Sequence, residues 1–313
     1  MSTLALTEEV RVARPVAFAR TPVCDEAREA AVGVLSSGWL TTGQQVAEFE
    51  REFAGYVSAP RAVAVSSCTA ALELAVRSLG LAPASKVLLS ANTFCGAAHA
   101  IMHAGHIPVL VDVDVESGMP SAATTEVAAA RAGGVAAMVV VHLGGLAADV
   151  RELATAAHLP LTMVIEDAAH ALGTLTQDGH VGALSRATCY SFYATKNLPI
   201  GEGGMLTTAD EEFADAVHAA RLHGMTKDAW RRYLPGGGWN YDVAADGLKA
   251  NMTDLQAAIG RAQLKQVACW NEDRRRLASE YDLRLGHMEG VLLPPRSSDT
   301  VHAWHLYAIR IND

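Results

Sequence analysis

The sequence predicts an α/β protein in which a mostly parallel sheet is wrapped by helices. Five apolar runs between residues 62 and 167 alternate with stretches of helical periodicity. Those runs are apolar at successive positions, the pattern of strands buried on both faces. The chain has 313 residues, 50% of them hydrophobic, which is enough for a large core and for one large domain plus part of another.

The elements follow in order. "AVAVSS" (62–67) reads as a strand and "TAALELAVRSLG" (69–80) as the helix after it. The pairing repeats with "KVLLSA" and "GAAHAIMHAG", "IPVLVDVD" and "SAATTEVAAARAG", then "VAAMVVVH" and "DVRELATAAHL". "LTMVIED" is a further strand, and "ATCYSFY" and "GGMLTT" are two more that flank Lys196. Their short connection predicts that one of them breaks the parallel pattern. "EEFADAVHAARLHG" (211–224) has helical spacing, with Gly224 as its C-cap. "AWRRYLPGGGWNYD" (229–242) reads as an exposed loop. Residues 252–285 read as one long helix capped by Thr253 or Asp254. "HAWHLYAIRIND" (302–313) is strand-like, and a strand ending the chain suggests a second domain without its remainder. The expected division is a large domain over 1–265 and the start of a small C-terminal domain over 266–313.

Composition excludes several function classes. The net charge is −9 and no long Lys/Arg run occurs, which argues against nucleic acid as a partner. "NEDRRRLASEYDLR", the densest basic patch, has acids interleaved and reads as a solvated helix face. The five cysteines are scattered without a C-x-x-C pair, as expected of reduced thiols in a cytoplasmic protein. Acids interrupt the N-terminal segment before a secretory core can form. The most apolar run, "VAAMVVVHLGGLAA", is too short to span a bilayer and contains His142. "HAGH" (103–106) and "HAWH" (302–305) have no carboxylate or cysteine beside them, so no metal centre is read there.

Open α/β sheets bind ligands at the carboxyl ends of their strands. The first strand ends in "SSCTA", where Cys68 and Thr69 open a helix whose free N–H groups and dipole suit a phosphate. A serine there also serves as a plain cap. "IEDAAH" ends its strand with Glu166 and Asp167 and adds His170. A buried carboxylate needs a partner such as a protonated ring nitrogen, although a capping Asp beside a structural His reads equally well alone. Thr93 and Phe94 end another strand, where the aromatic covers either a flat ligand or ordinary core. Lys196 is a surface lysine or a desolvated nucleophile, with Ser191 five residues before it. Together they supply a phosphate cradle, an aromatic plate, a carboxylate, a histidine and an amine at the strand ends of one sheet. That set matches what pyridoxal phosphate needs: a phosphate anchor, a carboxylate for the pyridine nitrogen and a lysine for the aldehyde.

The order and spacing of "SSCTAALELA", "ANTFCGAAHAI", "PVLVDVD", "VVHLGG", "IEDAAHALGT", "SFYATKN", "GEGGML", "RLHGM" and "KANMTDLQAAIGRAQL" resemble the DegT/DnrJ/EryC1/StrS family of sugar aminotransferases, over nearly the whole chain. The resemblance implies the three-layer fold of type I pyridoxal-phosphate transferases. It makes Lys196 the lysine that binds pyridoxal 5′-phosphate and sets Asp167 against the pyridine nitrogen, with His170 near the ring hydroxyl. Ser191 and the Cys68–Thr69 backbone would hold the phosphate, and Phe94 would cover the ring. Asn251 looks like the family asparagine that reaches the phosphate across a homodimer interface, with Asn240 the weaker alternative. Cys68 stands where the family often has glycine. Members usually continue past "HLYAIRI", whereas this chain stops at Asp313.

The activity so implied is ping-pong transfer of an amino group from L-glutamate, leaving 2-oxoglutarate, to a nucleotide-linked 4-keto sugar. Thr41 and Thr42 of "GWLTTG", with His302 and His305, are the sugar-site candidates. Lys249 and Arg232 are candidates for the donor carboxylate. A 3-keto sugar or cyclitol acceptor, an aminohydroxybenzoate-forming activity and a non-catalytic cofactor-binding sensor stay open. Lys196 argues against the sugar dehydratase branch, which has histidine in its place.

Overall fold

The computed structural model describes residues 17, 19–225 and 242–312. Two helices, α1 (Asp25–Ser37) and α2 (Gln44–Val57), precede the sheet. Then β1 (Arg61–Val65), α3 (Cys68–Arg77), β2 (Lys86–Ser90), α4 (Cys95–His103), β3 (Ile107–Val111), α5 (Ala122–Arg131), β4 (Ala137–Val141), α6 (Val150–Ala156) and β5 (Val164–Asp167) alternate as the periodicity predicts. A hairpin of β6 (Leu175–Thr176) and β7 (Gly179–His180) leads into β8 (Ala187–Ser191) and β9 (Gly204–Thr208). Helices α7 (Glu211–Ala220), α8 (Asp254–Leu264) and α9 (Val267–Leu285) follow, with the short pair β10 (Val291–Leu292) and β11 (Arg310–Ile311) at the end.

The main sheet has seven strands in the order β1-β9-β8-β5-β4-β2-β3. Strand β9 runs antiparallel to both β1 and β8, so it is the strand that breaks the parallel pattern. Side chains alternate between the two faces. Val63, Val65, Cys189 and Leu206 enter one core with α3 and α7, while Ala62, Ala64, Tyr190 and Met205 enter the other with α2 and α8. Phe53 forms the centre of the second core, with ring centroids 5.1 Å from Tyr190 and 5.4 Å from Phe192. This is the expected α/β architecture, a mostly parallel sheet between helical layers.

Helices begin where the sequence offers caps. Ser67, Ser121, Asp149, Asp210 and Thr253 each accept the backbone N–H three residues on. Thr253 and Gln256 complete a capping box at α8, which selects Thr253 over Asp254 as the cap. Strand β1 lies at the sheet edge, where backbone groups lack a strand partner. There Glu50 accepts the Ala64 N–H at 2.8 Å, and the buried Arg221, paired with Glu50, donates to the Ala64 carbonyl at 2.7 Å.

Three expectations are corrected. The helix over 252–285 is two helices, broken at Lys265–Gln266. Helical residues occupy the break, so no stop signal marks it. Leu264 and Val267 are both buried in the core, and tertiary packing sets the boundary. Helix α7 ends at Ala220, with Arg221 as C-cap; Gly224 closes the next turn, at φ +68°, by donating to Ala219 O. In the strand-like run at the end of the chain only Arg310–Ile311 pairs, with Val291–Leu292. The stretch before it lies on the loop after β4, where Ala303 and Leu306 donate to Gly145 O and Gly144 O. Most of the loop expected over 229–242, together with Arg232 and Asn240, lies outside the described residues. Among the described residues, no helix is long and apolar enough to cross a membrane.

Candidate active site

The carboxyl ends of β1, β4, β5 and β8 open on one cavity of about 580 Å3. Because β9 runs the other way, its first residue, Gly204, lies at the same end of the sheet, and Gly203 just before it lines the cavity. Seven predicted residues line this cavity together: Cys68, Thr69, Phe94, Asp167, His170, Ser191 and Lys196.

Helix α3 starts directly at the end of β1. The Ser67 hydroxyl accepts the Ala70 N–H at 3.1 Å, which leaves the amides at Cys68 and Thr69 to the helix end that faces the cavity. A Cβ at Gly204 would lie 2.4 Å from Ser67 C and 2.6 Å from Cys68 N, so only glycine lets β9 approach the start of this helix. Gly204→Ala must therefore displace backbone. It is expected to weaken anion and cofactor binding by about tenfold or more, measured by titration of the cofactor-free protein.

Asp167 ends β5 and is buried. Burial pushes its carboxyl up, opposed by the Ala169 N–H at 3.0 Å and by the charge of Lys196. The Cys68 thiol sits 3.7 Å from Asp167 Oδ1, a contact that a glycine at this position would lack. Burial drives the Cys68 thiol well above the ordinary thiol range, and Asp167 adds to it. On the neighbouring strand His142 bonds Glu166 at 2.9 Å through Nε2 and accepts the Ala148 N–H through Nδ1 at 3.1 Å. His142, Tyr193 and Glu202 also line the cavity and were not singled out from the sequence. The place of His142 at the end of "VAAMVVVH" was the signal that could have found it.

His170 accepts the Gly144 N–H on Nδ1 at 3.2 Å, which leaves its neutral ring protonated on Nε2. Burial lowers it to about 4, helped by Lys196. His305 packs on it with ring centroids 4.3 Å apart, and burial, then His170, lower His305 to about 2. Both imidazoles are thus neutral at physiological pH. Lys196 follows β8 in a turn closed by its N–H to Tyr193 O at 2.9 Å. Burial lowers its amine's pKa, with Asp167 and then Cys68 opposing. Phe94 stands at the cavity lip with 75% of its surface exposed.

The remaining predicted residues lie elsewhere. Asn251 pairs with Val65 beside the end of β1, donates to Thr42 Oγ1 at 2.7 Å and accepts from Lys249 Nζ. Thr41 accepts the Asp254 N–H at 3.1 Å through its carbonyl. None of these four is among the residues lining the cavity. His302 stacks on Trp304, centroids 3.9 Å apart, and faces a neighbouring cavity of about 620 Å3.

Known proteins match this chain along most of its length. The model of the DegT/DnrJ/EryC1/StrS aminotransferase family matches residues 23–313. The chain is 43% identical over 279 residues to the spore coat polysaccharide biosynthesis protein SpsC of Bacillus subtilis, covering 89% of this chain and 71% of that one. The structure of Spr1654 from Streptococcus pneumoniae in its PMP-form superposes with a TM-score of 0.85 at 28% identity, over 95% of this chain and 79% of that one. The sugar aminotransferase CalS13 from Micromonospora echinospora gives a TM-score of 0.83 at 26% identity, over 96% and 81% of the two chains.

Proposed function

From the premise that the chain belongs to the DegT/DnrJ/EryC1/StrS aminotransferase family, we infer that it transfers an amino group from L-glutamate to the 4-keto group of a nucleotide-linked sugar. The family's cofactor is pyridoxal 5′-phosphate. The cavity fits it. The volume lies within the range of about 300–1,000 Å3 common for ligand sites. The glycine-permitted approach of β9 to α3 leaves a helix N-terminus open for a phosphate, and a buried carboxylate and a desolvated amine face the same space. That last pairing, Asp167 and Lys196 in one cavity, carries the reading.

When bound, pyridoxal phosphate supplies an aldehyde that takes up amines and a protonated ring that withdraws electrons from the carbon beside it. Lys196 Nζ would hold the aldehyde covalently. Its lowered pKa lets more of the amine lose its proton, and burial keeps water from competing. Once displaced by the donor's amine, Lys196 Nζ removes the proton from the donor's α-carbon and later returns a proton to the sugar carbon that accepts nitrogen. The Asp167 carboxylate would accept the ring N–H; burial disfavours its ionised form, and the Ala169 amide and the Lys196 charge oppose that. His170, neutral and protonated on Nε2, is placed to donate a hydrogen bond at the ring hydroxyl. Ser191, Thr69 and the α3 amides would hold the phosphate.

The identity to a protein of spore coat polysaccharide biosynthesis supports a sugar acceptor. The resemblance of Asn251 to the family asparagine that crosses the interface is the ground for proposing a homodimer in which each copy completes the other's site; within one chain Asn251 bonds Thr42 and Lys249 outside the cavity lining. Incubating the protein with cofactor, L-glutamate and a panel of nucleotide-linked 4-keto and 3-keto sugars tests the reading. Mass spectrometry is expected to show an amino sugar nucleotide from the 4-keto compounds; no amination of any sugar would overturn it.

A further inference from the structure

An amine can act on a bound molecule only if the loop that carries it is held at the right height and direction. The segment after β8 that carries Lys196 is held by amide side chains spaced along α8 and α9. Gln256 Nε2 donates to Glu202 O at 2.9 Å. Gln263 Nε2 donates to Pro199 O. Asn197, next to Lys196, donates through Nδ2 to Asn271 Oδ1 at 2.8 Å. Positions 256 and 263 are seven residues apart on α8, about two helical turns, so they share one face, and Asn271 follows on α9 beyond the break. As the helices run forward the loop runs back, from 202 to 199 to 197.

The last rung reaches further. Asn271 Nδ2 donates to Leu172 O at 2.9 Å, and Asn197 Nδ2 also donates to Ala303 O at 2.9 Å. The backbone carbonyls at the two ends can only accept, so they fix the orientation of both amides. Three segments meet here: the loop carrying Lys196, the turn that follows His170, and the stretch over 301–306 that sets His305 against His170. Gly173 makes the meeting possible, because a Cβ there would lie 2.2 Å from Asn271 Nδ2.

These amides are poor choices for a core that only has to be stable. Asn197, Gln263 and Asn271 are all buried, and Asn197 Oδ1 and Gln263 Oε1 have no hydrogen-bond partner. A buried acceptor without a donor costs stability that an apolar side chain of similar shape would not. We propose that Gln263 and Asn271, seconded by Gln256, are positioning residues for Lys196: they fix its loop against the turn that follows His170. The role assigned to Lys196 rests on the function proposed above; the hold on its loop does not.

The test uses Gln263→Met, which keeps length and removes the unpartnered oxygen, and Asn271→Ser, which shortens the side chain without adding bulk. Hydrogen–deuterium exchange of the cofactor-free protein is the first readout. Amides of 196–202 are expected to exchange about tenfold faster in each variant, with β1 and β8 unchanged. In the loaded enzyme kcat is expected to fall about tenfold or more, with KM for the amino donor changed by less than about threefold. Wild-type exchange in the loop, or exchange rising equally across loop and sheet, would overturn the proposal. If the wild-type protein takes no cofactor on Lys196, the function reading fails, and the exchange measurement still decides whether the amides hold the loop.

Discussion

Replacing Lys196 with alanine is expected to lower amino transfer by about 10³-fold or more while the protein stays folded. Lys196 is the one lysine among the described residues lining the cavity, so under the proposed function its loss would remove the covalent anchor and the proton carrier together. The turn that presents it is closed by backbone, Lys196 N–H to Tyr193 O, and survives the substitution. Lys196→Arg is expected to fail as well, because a guanidinium stays protonated, whereas burial lowers the pKa of the lysine amine. Borohydride reduction followed by peptide mass spectrometry checks the claim: the cofactor's mass should stay on the peptide carrying Lys196 in the wild type and be absent from both variants.

Asp167→Asn is expected to cut kcat by about 10²–10³-fold and yet to leave the cofactor-free protein as stable as the wild type, or more so, at pH 7. Activity falls because a neutral amide cannot hold the ring nitrogen in its protonated form. Stability moves the other way because burial raises the pKa of Asp167 in the folded state. The folded protein then binds that proton more tightly than the unfolded chain. The contribution of this group is greatest below the unfolded pKa of about 4 and declines as pH rises through the folded value. An asparagine does not titrate and can still accept the Ala169 N–H. Thermal unfolding at pH 7 should therefore favour the variant, with the gap closing toward pH 4. A variant much less stable than the wild type at pH 7 would contradict this electrostatic account.

The sheet was legible because burial on both faces writes itself as uninterrupted apolar runs, and the short connection around Lys196 showed that one of its two flanking strands is antiparallel, though not which. The residues at the strand ends were legible for the same reason, since the strand ends of an open sheet converge and carry Asp167, Cys68, Phe94 and Ser191 with them. The rest depends on tertiary packing. The break at Lys265–Gln266 falls between good helix formers and is set by how Leu264 and Val267 enter the core. The run over 302–309 has strand-like residues but spends its hydrogen bonds on the loop after β4. His302 and His305 share a four-residue motif, yet the turn between them, where Trp304 adopts φ +48°, sends one to a second cavity and the other to His170. Gln263 and Asn271 read from the sequence as ordinary helix residues, because their partners are two carbonyls 64 and 99 residues away and an amide 74 residues away.

The central claim is that this cavity performs the first half-reaction through Lys196, with no sugar present. Loading the protein with pyridoxal phosphate, removing the excess, adding L-glutamate without any sugar and quantifying 2-oxoglutarate tests it most directly. Release of about one equivalent per cavity, abolished by Lys196→Ala, is the result the account predicts. Stoichiometric cofactor binding with no 2-oxoglutarate released would contradict glutamate as the donor, and equal release from the Lys196→Ala variant would contradict the role given to the lysine.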